Sequence, residues 1–292
     1  MSKDHIIPRF ILRNFAIDPT ANKKALEVKI YDRTTKQVFV QNIHDAFALE
    51  DFNSPETEQY LANEYESKVA QLFQRITQAT NNDQTSVTFS ISEYRMLFRF
   101  FTIMWRRNDI HMKEAEKISL RLESTMKMLF GDQYHHILAP EYEGVPFDKL
   151  LSEKSDIRTG IYDTLIRTVK NNDPTVIKTI NNYNIFIVHN KSKIHFLLHN
   201  TYGTLIYMMP KNRPVVCAND MPIMMIYPIS KTLCFCLTYS EKRIDATAKS
   251  FDIPIENLND EEEVKEIFIK KYITKSATSF AVDETNMDFV RI

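Results

Sequence analysis

Three observations predict an α+β fold for this 292-residue chain. Helical apolar spacing dominates from about 55 to 170. Short β-branched and aromatic runs, separated by Asn, Pro, Gly and Lys, dominate from about 184 to 240. The order is strands, helices, strands, helix. That order packs a helical bundle portion against a mostly antiparallel sheet and does not weave βαβ units. The expected organisation is a single domain over 1–292. It comprises an N-terminal motif and hairpin (1–53), a helical part (54–175), a sheet part (183–240) and a C-terminal helix (255–275).

Composition narrows the function classes. Lys+Arg is 37 and Asp+Glu is 38, a net charge of −1. A protein that grips duplex DNA nonspecifically is usually more basic, because phosphate neutralisation supplies that affinity. The chain has three cysteines, Cys217, Cys234 and Cys236, an odd number with two in an apolar run. Buried free thiols in a reducing compartment follow from that. There is no signal-peptide pattern and no apolar run of bilayer length, so the expectation is a cytoplasmic protein without a membrane partner. Only four glycines occur, and neither GxGxxG nor a P-loop motif is present.

Taken in order, the elements begin with His5-Ile6-Ile7-Pro8-Arg9-Phe10-Ile11-Leu12-Arg13-Asn14-Phe15. Apolar and basic side chains mix here in a way a frayed terminus has no use for. Pro8 pushes Ile7 towards extended geometry, and the segment is expected to be buried against the rest of the domain, with its basic groups aimed at one place, in a stretch (1–53) that reads as loop and short strands. Leu26–Tyr31 alternates like a half-buried strand, and Asp32–Lys36 turns it into a hairpin with Gln37–Val40. Ala46–Asn53 leads into a helix that starts at Ser54-Pro55-Glu56, with Ser as N-cap, Pro at N1 and acid in the first turn. Leu61, Tyr65, Val69, Leu72, Phe73 and Ile76 then recur at helical spacing, and Val87–Phe89 adds an extended piece. A second helix from Ser92 is apolar on more than one face before it turns polar at Trp105–His111. Further helices are read at about 112–130 and 156–170. Strands are read at Asn184–His189, Lys193–His199, Thr204–Met209, Val215–Ala218, Met224–Tyr227 and Thr232–Thr238. A last helix covers Asp260–Lys271, with acids at its start and lysines at its end to complement its dipole.

Several constellations could carry chemistry. Arg106 and Arg107 precede His111 near a helix end, which resembles the Arg-x(4–6)-His signature of HEPN ribonucleases. There the His acts on the 2′-hydroxyl and the Arg holds the scissile phosphate. Solvated ion pairs with Asp109 and Glu114 are the plain alternative. Asp220, in Ala218-Asn219-Asp220-Met221-Pro222, stands either at a sheet-edge site or in a turn that it caps itself. Glu50, Asp51, Glu58, Glu64 and Glu66 are read as solvent-facing acids, and His135-His136 as solvated. No metal ligand set is assigned and the sequence names no cofactor. His189, His195 and His199, like Cys234 and Cys236, are read as packed in the sheet.

The motifs together resemble an uncharacterised bacterial family, domain of unknown function 4238. The opening His5-Ile6-Ile7-Pro8-Arg9-Phe10-x-Leu12-Arg13-Asn14-Phe15 is similar to that family's His-Tyr-x-Pro-Arg-Phe-x-Leu-Arg-Asn-Phe. Tyr31-Asp32-Arg33, Glu50-Asp51-Phe52, Glu58-x-x-Leu61 with Glu66, Met104-x-x-Arg107, Val216-x-Ala218-Asn219-Asp220-Met221-Pro222-Ile223 and Tyr227-Pro228-Ile229-Ser230 resemble its later motifs in order. Ile6, Met104 and Asn219 depart from the family's Tyr, Gln and Ser.

A His, two Arg and one or two acids drawn from distant segments resemble a phosphate-handling or hydrolytic site. The expectation is therefore a nuclease, RNA favoured, of the toxin or anti-phage effector kind. His5 or His111 would be the acid/base, Arg9 and Arg107 the phosphate clamp, and Asp220 the group orienting the His. Arg13, Asn14, Arg106 and Asn219 would contact substrate. A HEPN-type site implies a homodimer. The alternative is a nucleotide- or anion-binding or interaction module in which the same charges form an internal brace.

Overall fold

The computed structural model describes residues 3–50, 53–107, 174–206, 224–240, 249–273 and 277–291, with isolated positions between 124 and 169. The fold is α+β. In chain order it runs β1 (Lys3–His5), α1 (Arg9–Arg13), β2 (Glu27–Asp32), β3 (Gln37–Asn42), β4 (Ala48–Glu50), α2 (Pro55–Leu61), a π-helical turn (Ala62–Glu66), α3 (Ser67–Asn81), β5 (Ser86–Ser90) and α4 (Ile91–Arg106). It continues with α5 (Pro174–Asn182), β6 (Tyr183–Asn190), β7 (Leu198–His199), β8 (Thr204–Ile206), β9 (Met224–Pro228), β10 (Leu233–Tyr239) and β11 (Ser250–Leu258). It closes with α6 (Glu261–Glu263), a second π-helical stretch (Val264–Lys270), β12 (Ser279–Ala281) and α7 (Met287–Val290).

A six-stranded sheet, order β5-β11-β6-β10-β9-β8, forms the centre; its one parallel pair is β11 with β6. Strand β10 explains how the core divides. Leu233, Phe235 and Leu237 join the cluster that holds the helices, whereas Cys234 and Cys236 join a second cluster with Phe268 and Ile269. Alternate side chains leave opposite faces of a strand, so a strand apolar at every position is covered on both sides. Both cysteines are buried free thiols.

On the helical side, Phe73 of α3 and Phe101 of α4 pack on Phe235, Phe100 packs on both of them, and Phe101 stacks on Tyr227 at 4.4 Å between centroids. Helix α4 starts in a capping box, with Ser90 accepting from Glu93 N while Glu93 accepts from Ser90 N. Glu93 also pairs with Arg75 of α3 at 2.9 Å, which fixes the two helices to each other. A four-stranded sheet, order β3-β2-β12-β7, carries the expected hairpin at one edge. Leu26, Val28 and Ile30 are buried, as their alternation requires.

Three expectations change. The segment after Pro8 is a short helix, because Pro8 at φ −55 is a compatible helix entry and its carbonyl accepts from Ile11 N and Leu12 N. Residues 46–50 form a turn and strand β4, with Phe47 at positive φ, and the chain enters its helix at Pro55 behind the Ser54 N-cap, as expected. Lys193–Leu197 is irregular, and only Leu198–His199 pairs as strand. Strand β11 is the longest in the sheet and was not anticipated, because Pro254 argues against a strand. Pro254 stands where the ladder hands over: residues 250–254 pair with β5 and residues 255–258 with β6. The readings at 112–123, 132–162 and 207–223 lie outside the described residues.

Candidate functional site

The site is assembled from four separated segments. The first is β1 with α1, and the second is the turn after β3. Helix α2, its π-helical turn and the start of α3 form the third, and the C-terminus of α4 the fourth. Ser54 caps α2 by accepting from Thr57 N at 3.2 Å, which sets the direction in which Glu58 projects. Glu58 and Glu66 are eight residues apart, and in an unbroken α-helix they would be offset by about 80°. The π-helical turn between them, with its i→i+5 hydrogen bonding, takes up that excess and brings both carboxylates to one cation.

That cation is Arg107, the C-cap of α4. Its side chain has no solvent exposure; Nη2 lies 2.5 Å from Glu58 Oε1 and Nη1 3.4 Å from Glu66 Oε1. Roughly a quarter of each carboxylate's side chain still reaches solvent, 29% for Glu58 and 25% for Glu66. Asn53 joins the network: its amide Nδ2 donates to Glu58 Oε1 and its backbone N donates to Asp4 Oδ2 at 2.9 Å. Arg107 Nε is buried and unpartnered among the described residues. Burial and the negative charge of Glu58 push the Glu66 carboxyl up, against the pull of Arg107 and Arg9.

His5 is buried, and its Nε2 donates to the Ile43 carbonyl at 3.0 Å. Burial pushes its pKa down from 6.5 to about 4, and the charges of Arg9, Arg107 and His44 push the same way. His5 is therefore a neutral imidazole at pH 7, pinned through one nitrogen. Arg9 is the outward-facing cation. It is exposed, and its Nη1 donates to His44 Nδ1 at 3.0 Å.

Of the residues expected from sequence, His5, Arg9 and Arg107 come together here. Arg13 is half-buried in the last turn of α1, and Arg106 ends α4 half-buried. Asn14 donates to the Ile229 carbonyl at 2.8 Å, which ties the opening segment to the turn before β10. His111, Asn219 and Asp220 lie outside the described residues. No group of three metal-ligating side chains occurs among the described residues, and no helix among them is long and apolar enough to cross a membrane.

A family model described as a protein of unknown function (DUF4238) matches residues 3–282. The chain belongs to the DUF4238 family. No curated protein and no solved structure matches it. In this DUF4238 chain the opening motif therefore does two things. It supplies His5 to the interior and Arg9 to the surface, and it places both beside the Arg107 cluster.

Sequence reasoning missed Asn53 and His44 and read Glu58 and Glu66 as solvated acids. The eight-residue interval between the two acids holds no apparent signal, because the π-helical turn that aligns them has no composition cue. His44 follows Ile43 in the loop after a hairpin, and only the fold brings it to Arg9.

Proposed function

We propose that the cluster is a charged brace whose outer face, Arg9 with His44, recognises a phosphate-bearing ligand, a nucleotide or RNA. The complete burial of Arg107 between two carboxylates carries this reading. A guanidinium committed in that way has no face left for a phosphate. Pairing with the two carboxylates instead offsets the desolvation cost of several kcal/mol per ion that a buried charge carries. The exposed guanidinium of Arg9 is then the group that can fork onto a phosphate, with His44 beside it.

A second reading, phosphodiester cleavage of RNA in the manner of a toxin or anti-phage effector, is favoured by one observation. Glu66 carries a carboxyl pushed up by burial and by Glu58, and it feels the charge of Arg9. A carboxyl pushed up by burial beside a second carboxylate suits proton transfer. In that version Glu66 moves the proton, Arg9 holds the phosphate, and Arg107 and His5 position them. Its HEPN-like form would add His111 and a second copy of the chain.

Fluorescence anisotropy with a labelled RNA oligonucleotide and with ATP tests both readings. Arg9→Ala should weaken binding about tenfold, the loss of one charge-assisted contact, while melting stays as in the parent. RNA degradation abolished by Glu66→Gln in a folded variant selects the nuclease. Binding with no turnover selects the brace with its anion-recognising face. Binding of neither probe overturns both.

A further inference from the structure

A cavity of about 270 Å³ lies on another part of the molecule, lined among others by Phe15, Ile17, Lys29, His195, Lys231 and Asp283. His195 Nδ1 is 2.6 Å from Asp283 Oδ2. Thr285 fixes the same carboxylate by donating its N and Oγ1 to Oδ1 at 2.9 and 2.6 Å. Asp283 is buried enough to resist ionisation, yet the hydrogen bonds from His195 and Thr285 outweigh that and hold its pKa down to about 2. A carboxylate so held presents His195 in one ring orientation, with Nδ1–H turned to it and Nε2 left over. Among the described residues nothing bonds Nε2. Thr285 Oγ1 accepts from His195 N at 2.9 Å, so it is occupied on both sides and is no nucleophile.

Lys29 and Lys231 formally balance Asp283 and Glu284 in the wall, but the pairing is uneven. Lys29 pairs with Glu284 at 3.0 Å, and Asp283 is matched by His195 and Thr285. Lys231 has no carboxylate partner among the described residues; its Nζ donates to the Ala16 carbonyl at 2.8 Å, which leaves two protons. Phe196 N donates to the Lys231 carbonyl at 2.8 Å, so the backbones that carry His195 and Lys231 run side by side. Phe15 and Ile17 add an apolar wall.

We propose that this cavity is a second ligand site, one that takes a small anion, a carboxylate or phosphate monoester, borne on an apolar body. The head group meets the two free protons of Lys231 Nζ and the body lies on Phe15 and Ile17, while His195 Nε2, an acceptor when Nδ1 carries the proton, takes a hydrogen bond from a ligand hydroxyl such as the P–OH of a phosphate monoester. The volume suits a compact metabolite and is too small for a polymer. The site owes nothing to the Arg9–His44 face.

Backbone amide NMR on the full chain, with phenyl phosphate, benzoate and phenol as probes, tests the proposal. Phenyl phosphate or benzoate should shift the Ile17 and Thr285 amides saturably, and phenol should not; which anion binds tighter identifies the head group. Lys231→Gln should weaken that binding about tenfold, as expected for one charge-assisted hydrogen bond. Arg9→Ala should leave it unchanged, which separates this site from the phosphate-recognising face. If Lys231→Gln fails to fold, the contrast between phenyl phosphate and phenol on the parent protein decides alone. No shift up to about 10 mM, the weak end of specific binding, or equal shifts with phenol, overturns the proposal.

Discussion

Arg107 Nη2 approaches Glu58 Oε1 at 2.5 Å from a guanidinium that no solvent reaches. Helix α2 thereby grips the end of α4 through charge, at a point where the surrounding core is apolar. Replacing Arg107 with Met should lower unfolding free energy by about 3–5 kcal/mol, because Glu58 and Glu66 lose their shared cation. Urea denaturation measures this. Adding Glu58→Gln and Glu66→Gln to the same variant should recover most of the loss. An equal loss in the single and triple variants would mean that packing, and not pairing, is what Arg107 contributes.

Stability should fall as pH drops from 6.5 towards 4. His5 has a folded pKa of about 4 and His199 of about 3, both below the ordinary 6.5, chiefly because burial disfavours their charged forms. In that window the unfolded chain binds protons that the folded chain does not, so folding loses ground as pH falls. Across that window each histidine contributes at most about 3 kcal/mol to the change. Glu66, with a raised folded pKa, works in the opposite sense through part of the same window. His5→Gln should flatten the midpoint-against-pH curve between pH 4 and 6.5, and an unchanged slope would sink this account.

Gly203→Ala should be strongly destabilising. Gly203 sits at φ +92, and a Cβ there would lie 2.7 Å from Tyr227 Cδ1. Tyr227 is buried and stacked on Phe101, so its ring has little room to give. Conformational strain and overpacking together should cost about 2–4 kcal/mol, read as a shift in thermal midpoint.

Ser90→Ala should cost about 1 kcal/mol by removing half of the capping box at the start of α4. Glu93 then loses its Ser90 hydroxyl partner but keeps Arg75, so Ser90→Asp, which can still cap, should restore most of the loss in the same urea titration.

Much of this architecture was legible in the residues. Leu26, Val28 and Ile30 announce a half-buried strand by parity alone. Ser54-Pro55-Glu56 announces a helix start, and Met96, Leu97, Phe100, Phe101, Ile103 and Met104 a core helix. The opening motif could be placed in a family because its Pro, Arg and Asn spacing is unusual. Less legible were features set by distant partners. Pro254 hides β11 because its tolerance depends on which neighbour the strand faces at that residue. Strand β12 is three residues long, Ser279–Ala281, and its strand character comes from pairing with β2. At the site, His5 and Arg107 were identifiable as special residues, and an internal brace was one of the readings left open, but the acids that close it were not identified. Only the fold shows that Arg107 is consumed by Glu58 and Glu66, and that Arg9 is the basic group left at the surface.

The position of β12 governs when the molecule can assemble. Tyr31 in β2 faces Phe280 in β12, so the hairpin's inner edge waits for a partner about 250 residues downstream. The central sheet likewise stays unfinished until β11 slides between β5 and β6. On the ribosome neither sheet closes before nearly all of the chain has emerged, and ring closures that long are slow. Until then the early strands carry bare backbone edges, which makes the nascent chain a natural client for chaperones.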